Sequence, residues 1–315
     1  MRPYRRADTD WLAGSFGIGA HWTSTSKPCR GEALPYQEAV AAFDLGHFVR
    51  QLREAGARHL IFTLTHAQHY LPCPNPVLDY LLPGRTAKRD LVGELADALE
   101  AAGIRLICYY NHSCNCHNDP AWEDASGYAC APLDLFSGRI LGVVESLSRR
   151  YGKKISGWWF DSCYSVDPKG PHNSVSTVLG DWQFPWEALS AAAKSGNPDT
   201  LVTFNAGVGE DYLYTRHQDY CAGENTCLAP AFPYGRYNQA GLQCHQWLCL
   251  DNPAWTHHRP DTPFAPLLYT DDELAAYCLD HFSQRGALTF NVEIDQAGTF
   301  NPDAIAQLRS VCPAS

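Results

Sequence analysis

The strongest constraint on this chain is an alternation: short apolar runs of strand length are followed, time after time, by amphipathic stretches of helical period. FGIGAHW (16–22), HLIFTLTH (59–66), IRLICYYN (104–111) and ISGWWFDS (155–162) read as the first four strands. TLVTFNAG (200–207), QDYCAGE (218–224), GLQCHQWLCL (241–250) and ALTFNVEI (287–294) read as four more. Between the strands, 43–56 and 89–103 carry apolar residues at three- and four-residue spacing and each closes on Gly. Further helices are expected over 133–152, near 185–195, over 270–286 with an acidic first turn that suits the helix dipole, and over 301–312. Strands this uniformly apolar bury both faces, as in a parallel sheet covered by helices. The pattern predicts an α/β fold, a single (β/α)8 TIM-type barrel over residues 1–315, irregular around strands five and six where no helical pattern is seen. A length of 315 residues suits one such barrel.

Composition narrows the function. The formal net charge is −10 and the 24 Lys and Arg are scattered, which argues against nucleic acid and against an anionic membrane as partners. No run approaches the roughly 18 apolar residues of a membrane span. The basic start MRPYRRADTDWLAGSFG lacks the apolar stretch of a signal peptide. Thirteen cysteines, an odd number, read most simply as reduced thiols and a cytoplasmic location, or a secreted one if a leader was removed. Cys114, Cys116 and His117 in SCNCHND invite a zinc reading, but a second half at metal-site spacing is missing, so no metal and no cofactor are expected.

In a barrel of this kind, chemistry sits where strands end and loops begin. Asp161 ends the fourth strand behind Trp158, Trp159 and Phe160. Asp is also favoured in turns, so its position alone leaves a turn residue and a catalytic carboxylate equally open. Other strand ends are polar too: His21 and Trp22, His66, Tyr109 and Tyr110, Asn205, Glu224, His245 and Trp247, and Glu293. A lone His is more often a satisfied core residue, but convergence of this set on one rim suits an aromatic sugar site. With two carboxylates it fits glycoside hydrolysis, one attacking the anomeric carbon and the other serving as acid and base. Neither a phosphate-cradling loop, a nucleophile elbow nor a dinucleotide fingerprint is present.

The order of these motifs resembles glycoside hydrolase family 29, the retaining α-L-fucosidases. FGIGAHW is similar to that family's first-strand Phe-Gly-Ile-Phe-x-His-Trp, and AGARHLIFTLTHAQHY to its Ala-Gly-Ala-Lys-Tyr segment and following His-His strand. RDLVGELADALEAAGIRLICYYN resembles its Arg-Asp…Gly-Glu helix and Tyr-Tyr-Ser strand, WWFDS its Trp-Phe-Asp-Gly strand, and FNVEIDQAGTFNPDAIAQL its terminal segment. The resemblance implies a carbohydrate substrate, Asp161 as nucleophile and Glu224 as acid/base, with Glu210 in GVGEDY as rival. It implies sugar contacts at His21, His66, Tyr110 and Trp159, and a hydroxyl-binding role for Glu293, which replaces a family glycine. Two departures bear on specificity. His66 is followed by Ala67 where the family pairs two histidines, and Asn205-Ala206-Gly207 lacks the family's sugar-binding Arg. A glycone related to L-fucose, rather than L-fucose itself, is the expectation. No C-terminal β-sandwich is expected. The competing expectation is a catalytically silent sugar-binding protein on the same barrel.

Overall fold

The structure, a computed structural model, describes residues 6–66, 68–112, 119–128, 134–163, 184–209 and 213–312. Its strands are β1 (Phe16–Ala20), β2 (His59–Thr65), β3 (Arg105–Asn111), β4 (Ile155–Asp161), β5 (Leu201–Phe204), β6 (His245–Cys249) and β7 (Ala287–Asn291). They form one parallel sheet in the order β5-β4-β3-β2-β1-β7-β6. The helices are α1 (Tyr36–Ala42), α2 (Leu45–Ala55), α3 (Pro76–Leu81), α4 (Leu91–Ala102), α5 (Pro120–Ser126), α6 (Asp134–Tyr151), α7 (Trp186–Ala193), α8 (Asp271–Ser283) and α9 (Pro302–Val311). Gly56 and Gly103 close α2 and α4 in the left-handed conformation, as their sequence positions imply. No helix among the described residues is long and apolar enough to cross a membrane.

The expected sixth strand is where the barrel departs from regularity. Instead of a ladder, residues 219–225 make isolated bridges, Tyr220 with Gln243 and Glu224 with Trp247. On one side Cys221 N–H donates to Gln243 O and Trp247 N–H to Gly223 O, at 3.0 and 2.7 Å; on the other, Asp219 N–H donates to Val202 O at 2.8 Å. The segment therefore closes the ring between β5 and β6, giving an irregular (β/α)8 barrel. Gly223 explains the break: its φ of +69° is not a strand conformation, and a Cβ there would lie 2.0 Å from the carbonyl oxygen of His245. Asp219 anchors the start of the segment. Its carboxylate accepts from Val202 N–H and Ala7 N–H, both at 2.9 Å, and pairs with Lys194 Nζ at 2.8 Å.

Alternation along each strand sorts side chains between two cores. Leu60, Phe62, Leu106, Cys108, Tyr110, Trp158, Phe160 and Phe290 pack outward under the helices. Ile61, Ile107, Tyr109, Trp159, Leu201, Tyr220, Trp247 and Ala287 fill the inside. Room for the largest of these comes from β1, since a Cβ on Gly19 would sit 2.4 Å from the Trp247 indole nitrogen. Low in the barrel, His59 Nε2 and His245 Nε2 both lie 2.8 Å from Thr289 Oγ1. Burial lowers their pKa values to about 3 and about 4, so both rings are neutral packing elements at physiological pH.

Three short helices escaped the sequence reading: α1, α3 and α5. The last two carried a usable signal. Asn75-Pro76 and Asp119-Pro120 place a capping side chain before Pro at the first helical position, and both caps form.

Candidate active site

The site is assembled on the upper ends of β3, β4 and β5 and on the closing segment. In β4 the inward positions follow a period of two, so Asp161 points the same way as Trp159 while Trp158 and Phe160 face the helices. The chain then turns sharply. Ser162 has φ +61°, a costly conformation for a residue with a Cβ, and its N–H donates to Asp161 Oδ1 at 2.7 Å. A buried aromatic run thus ends on a carboxylate because the strand delivers it to the mouth of the barrel and the backbone immediately leaves.

Four donors surround that carboxylate. Besides Ser162 N–H, the Tyr109 hydroxyl donates to Oδ2, Asn111 Nδ2 to Oδ2 at 3.2 Å, and Asn205 Nδ2 to Oδ1 at 2.9 Å. Register explains two of them: Tyr109 lies beside Trp159, and Asn111 beside Asp161. Tyr109 and Trp159 stack with ring centroids 5.2 Å apart, and Trp247 meets Trp159 edge-on at 4.7 Å, making an aromatic floor.

Asn205 is the hinge of the arrangement. The same Nδ2 that reaches Asp161 also donates to Glu224 Oε2, at 2.5 Å, while its Oδ1 accepts from Gly207 N–H. Glu224 is partly buried. Burial first, and the nearby Asp161 charge second, raise its pKa to about 7 against the opposing effect of the Asn205 hydrogen bond. A carboxyl group protonated near neutrality thus stands beside a carboxylate ringed by donors.

His21 lines the other side. Its Nδ1 is 2.8 Å from Asn291 Oδ1, and Asn291 in turn donates through Nδ2 to Trp255 O. Burial lowers the His21 pKa to about 4, so the ring is neutral; Nδ1 carries the proton and Nε2 is an acceptor. Around it stand His66, Tyr109, Trp247 and Trp255, with ring centroids 5.0–5.3 Å away. A neutral acceptor among aromatic faces suits a sugar hydroxyl and the apolar face of a pyranose.

Of the residues singled out from the sequence, the structure brings together Asp161, Glu224, Asn205, His21 and His66, over Trp159 and Trp247. Three others lie elsewhere. Trp22 faces outward, packed on Tyr36, Phe43 and Phe62, because it is one residue out of phase with His21. Tyr110 also faces outward, its hydroxyl 3.0 Å from His69 Nε2; its neighbour Tyr109 takes the inner place. His245 starts β6, deep at the opposite end, bound to Thr289 and to the backbone of Cys221 and Ala222. Glu210 and the Cys114, Cys116, His117 cluster lie outside the described residues. Sequence reasoning missed Asn111, Trp255 and Asn291, and noted Tyr109 without assigning it; the period-two phase of Trp159 and Asp161, carried across to β3, points to both Tyr109 and Asn111.

Glu293 takes a different part from hydroxyl binding. It is 2% exposed, and its carboxylate accepts from Asn252 Nδ2, His257 Nδ1 and Ala265 N–H at 2.6, 2.8 and 2.7 Å. It ties down the loop after β6, whose Trp255, at φ +67°, leans on His21 and Trp247. Glu293→Ala is therefore expected to cost about 2–4 kcal/mol in denaturant unfolding, since buried donors lose their partner, and to raise KM as Trp255 loosens. A raised KM with unchanged stability would instead make Glu293 a direct sugar ligand.

A parallel barrel with two carboxyl groups at its upper rim, one on β4 and one on the segment beyond β5, over an aromatic floor is an architecture that glycoside hydrolases use. Solved structures share the fold at low identity. The endo-fucoidan hydrolase MfFcnA4 of glycoside hydrolase family 107 matches with TM-score 0.69 at 16% identity, over 95% of this chain and 52% of its own. This chain thus spans about half the length of that enzyme. The α-L-fucosidase isoenzyme 1 from Paenibacillus thiaminolyticus matches with TM-score 0.63 at 19% identity, over 96% of this chain and 74% of its own. A family 29 α-L-fucosidase from Bacteroides thetaiotaomicron matches with TM-score 0.64 at 15% identity, over 99% and 74%. No curated protein matches. The chain belongs to the alpha-L-fucosidase family, whose model it matches over residues 33–313.

Proposed function

We propose that this chain is a retaining exo-glycoside hydrolase acting on an α-L-fucoside or a closely related sugar, with Asp161 as nucleophile and Glu224 as acid/base. The observation that carries the reading is the shared Asn205 amide. Because one nitrogen holds both carboxylate oxygens, at 2.9 and 2.5 Å, those oxygens are no further apart than the two distances laid end to end. That favours the roughly 5–5.5 Å of a retaining pair over the roughly 6.5–9.5 Å that an inverting pair leaves for water. In the first step Asp161 attacks the anomeric carbon while Glu224 gives its proton to the departing oxygen. In the second, Glu224 takes a proton from water, which displaces Asp161 from the sugar. Asn205 keeps the two groups in register through both steps, and the neutral His21 accepts a hydroxyl of the glycone.

The test is a panel of aryl α-L- and β-D-glycosides, begun with the α-L-fucoside, with the anomer of the released sugar followed by NMR. Release with retained configuration supports the proposal; inverted product rejects the nucleophile assignment. Fucoidan belongs in the panel, because the family 107 neighbours are endo-fucoidan hydrolases and an oligosaccharide ladder would make the action endo. Silence throughout, with sugar binding by calorimetry, would leave a sugar-binding protein.

The protonation state of Glu224 fixes the pH dependence. With its pKa near 7, kcat/KM should fall about tenfold per pH unit above that value as the acid loses its proton. Replacing Glu224 by Gln should abolish this limb along with most of the activity on poor leaving groups. A basic limb that stays in place in the variant would assign it to another group.

A further inference from the structure

Two thiols far from the sugar site lie unusually close together. Cys278 is in α8 and Cys312 directly follows α9; both are buried, and their sulfur atoms are 3.1 Å apart. That is less than the roughly 3.5–4.0 Å of ordinary non-bonded contacts, and it exceeds a disulfide bond by only about 1 Å. The two helices pack on each other, and the residues between them include β7 with Asn291, the partner of His21, and Glu293, the anchor of the Trp255 loop.

We propose that Cys278 and Cys312 are a disulfide-forming pair that locks α9 onto α8. With a low-molecular-weight disulfide such as oxidised glutathione, one cysteine thiolate attacks a glutathione sulfur and releases one glutathione thiol. The second cysteine, deprotonated in its turn, attacks the protein sulfur of this mixed disulfide and expels the second glutathione. Two electrons and two protons leave the cysteines, and one glutathione disulfide becomes two thiols. The mutual hydrogen bond and burial raise the Cys278 pKa above the ordinary thiol range, so exchange in the folded protein is slow. The bond therefore forms as α9 docks or when it opens locally, and it persists in an oxidising compartment while the pair stays reduced in a reducing one.

Because the cysteines are 34 residues apart in sequence, closing the loop is expected to raise the thermal midpoint by about 5 °C. The full-length protein is equilibrated at several ratios of reduced to oxidised glutathione, quenched with acid, alkylated and mapped by mass spectrometry. A cross-linked Cys278–Cys312 peptide pair, rising with the oxidised fraction, supports the proposal; so does a midpoint shift that dithiothreitol reverses and that Cys278→Ala and Cys312→Ala each remove. Both cysteines alkylated or singly glutathionylated at the most oxidising ratio, with the exposed Cys227 modified in the same sample, would overturn it. The mapping needs only wild-type protein, so it decides the question even if a variant fails to fold.

Discussion

Asp161→Asn is expected to lower kcat/KM on an aryl α-L-fucoside by about 10⁴-fold or more, the scale seen when a covalent nucleophile is removed. The change also sets an amide N–H against donors, since Tyr109, Asn111, Asn205 and Ser162 all donate to this side chain. A stability loss of about 1–3 kcal/mol should accompany it. Rate and stability therefore have to be measured on the same sample, and activity compared well below the variant's midpoint. Asp161→Gly separates the two effects further, because it empties the site of nucleophile and leaves room for a small anion. Added azide should then restore turnover and yield the glycosyl azide of inverted configuration. Wild-type activity in the Asn variant would remove Asp161 from the chemistry.

Glu224→Ala should divide substrates by leaving group. With a phenolate that departs without protonation, formation of the glycosyl-enzyme stays fast and its hydrolysis becomes limiting, so a burst is followed by slow turnover. With an alkyl or sugar aglycone the first step itself falls by about 10²–10⁴-fold. Azide again tells the roles apart: here it intercepts the glycosyl-enzyme, and the product azide keeps the substrate's configuration. Undiminished hydrolysis of poor leaving groups would move the acid/base role to Glu210.

How much of this was legible in the sequence follows from what a linear pattern can carry. Hydrophobic period located seven of the eight strands and all of the longer helices, and the phase within a strand separates His21 from Trp22 and Tyr109 from Tyr110. The expectation for Tyr110 followed the family motif where the phase favoured its neighbour. His245 was misplaced because the apolar run 241–250 begins before the strand does. β6 starts at His245, so this ring lies at the foot of the barrel and not partway up it. Glu293 continues the inward phase of Asn291, yet a loop some thirty to forty residues earlier in the chain folds across and takes its carboxylate. No local pattern records that contact. Nor does one record that Asn205 spans two carboxylates, because the partners are 44 and 19 residues away.

The closing segment at residues 219–225 has a consequence for how such a protein can change. Asp161, the proposed nucleophile, stands on β4, laced by regular ladders to β3 and β5, whereas Glu224 rides on a segment tied by individual backbone bonds, among them Gly209 N–H to Glu224 O and Asn225 N–H to Trp247 O, both at 2.8 Å. One carboxyl group is thus held within regular sheet pairing and the other outside it, on a segment whose backbone follows no ladder. On the proposed roles, substitution in that segment can retune where a proton is delivered, and so which aglycone departs, without disturbing the strand that carries Asp161.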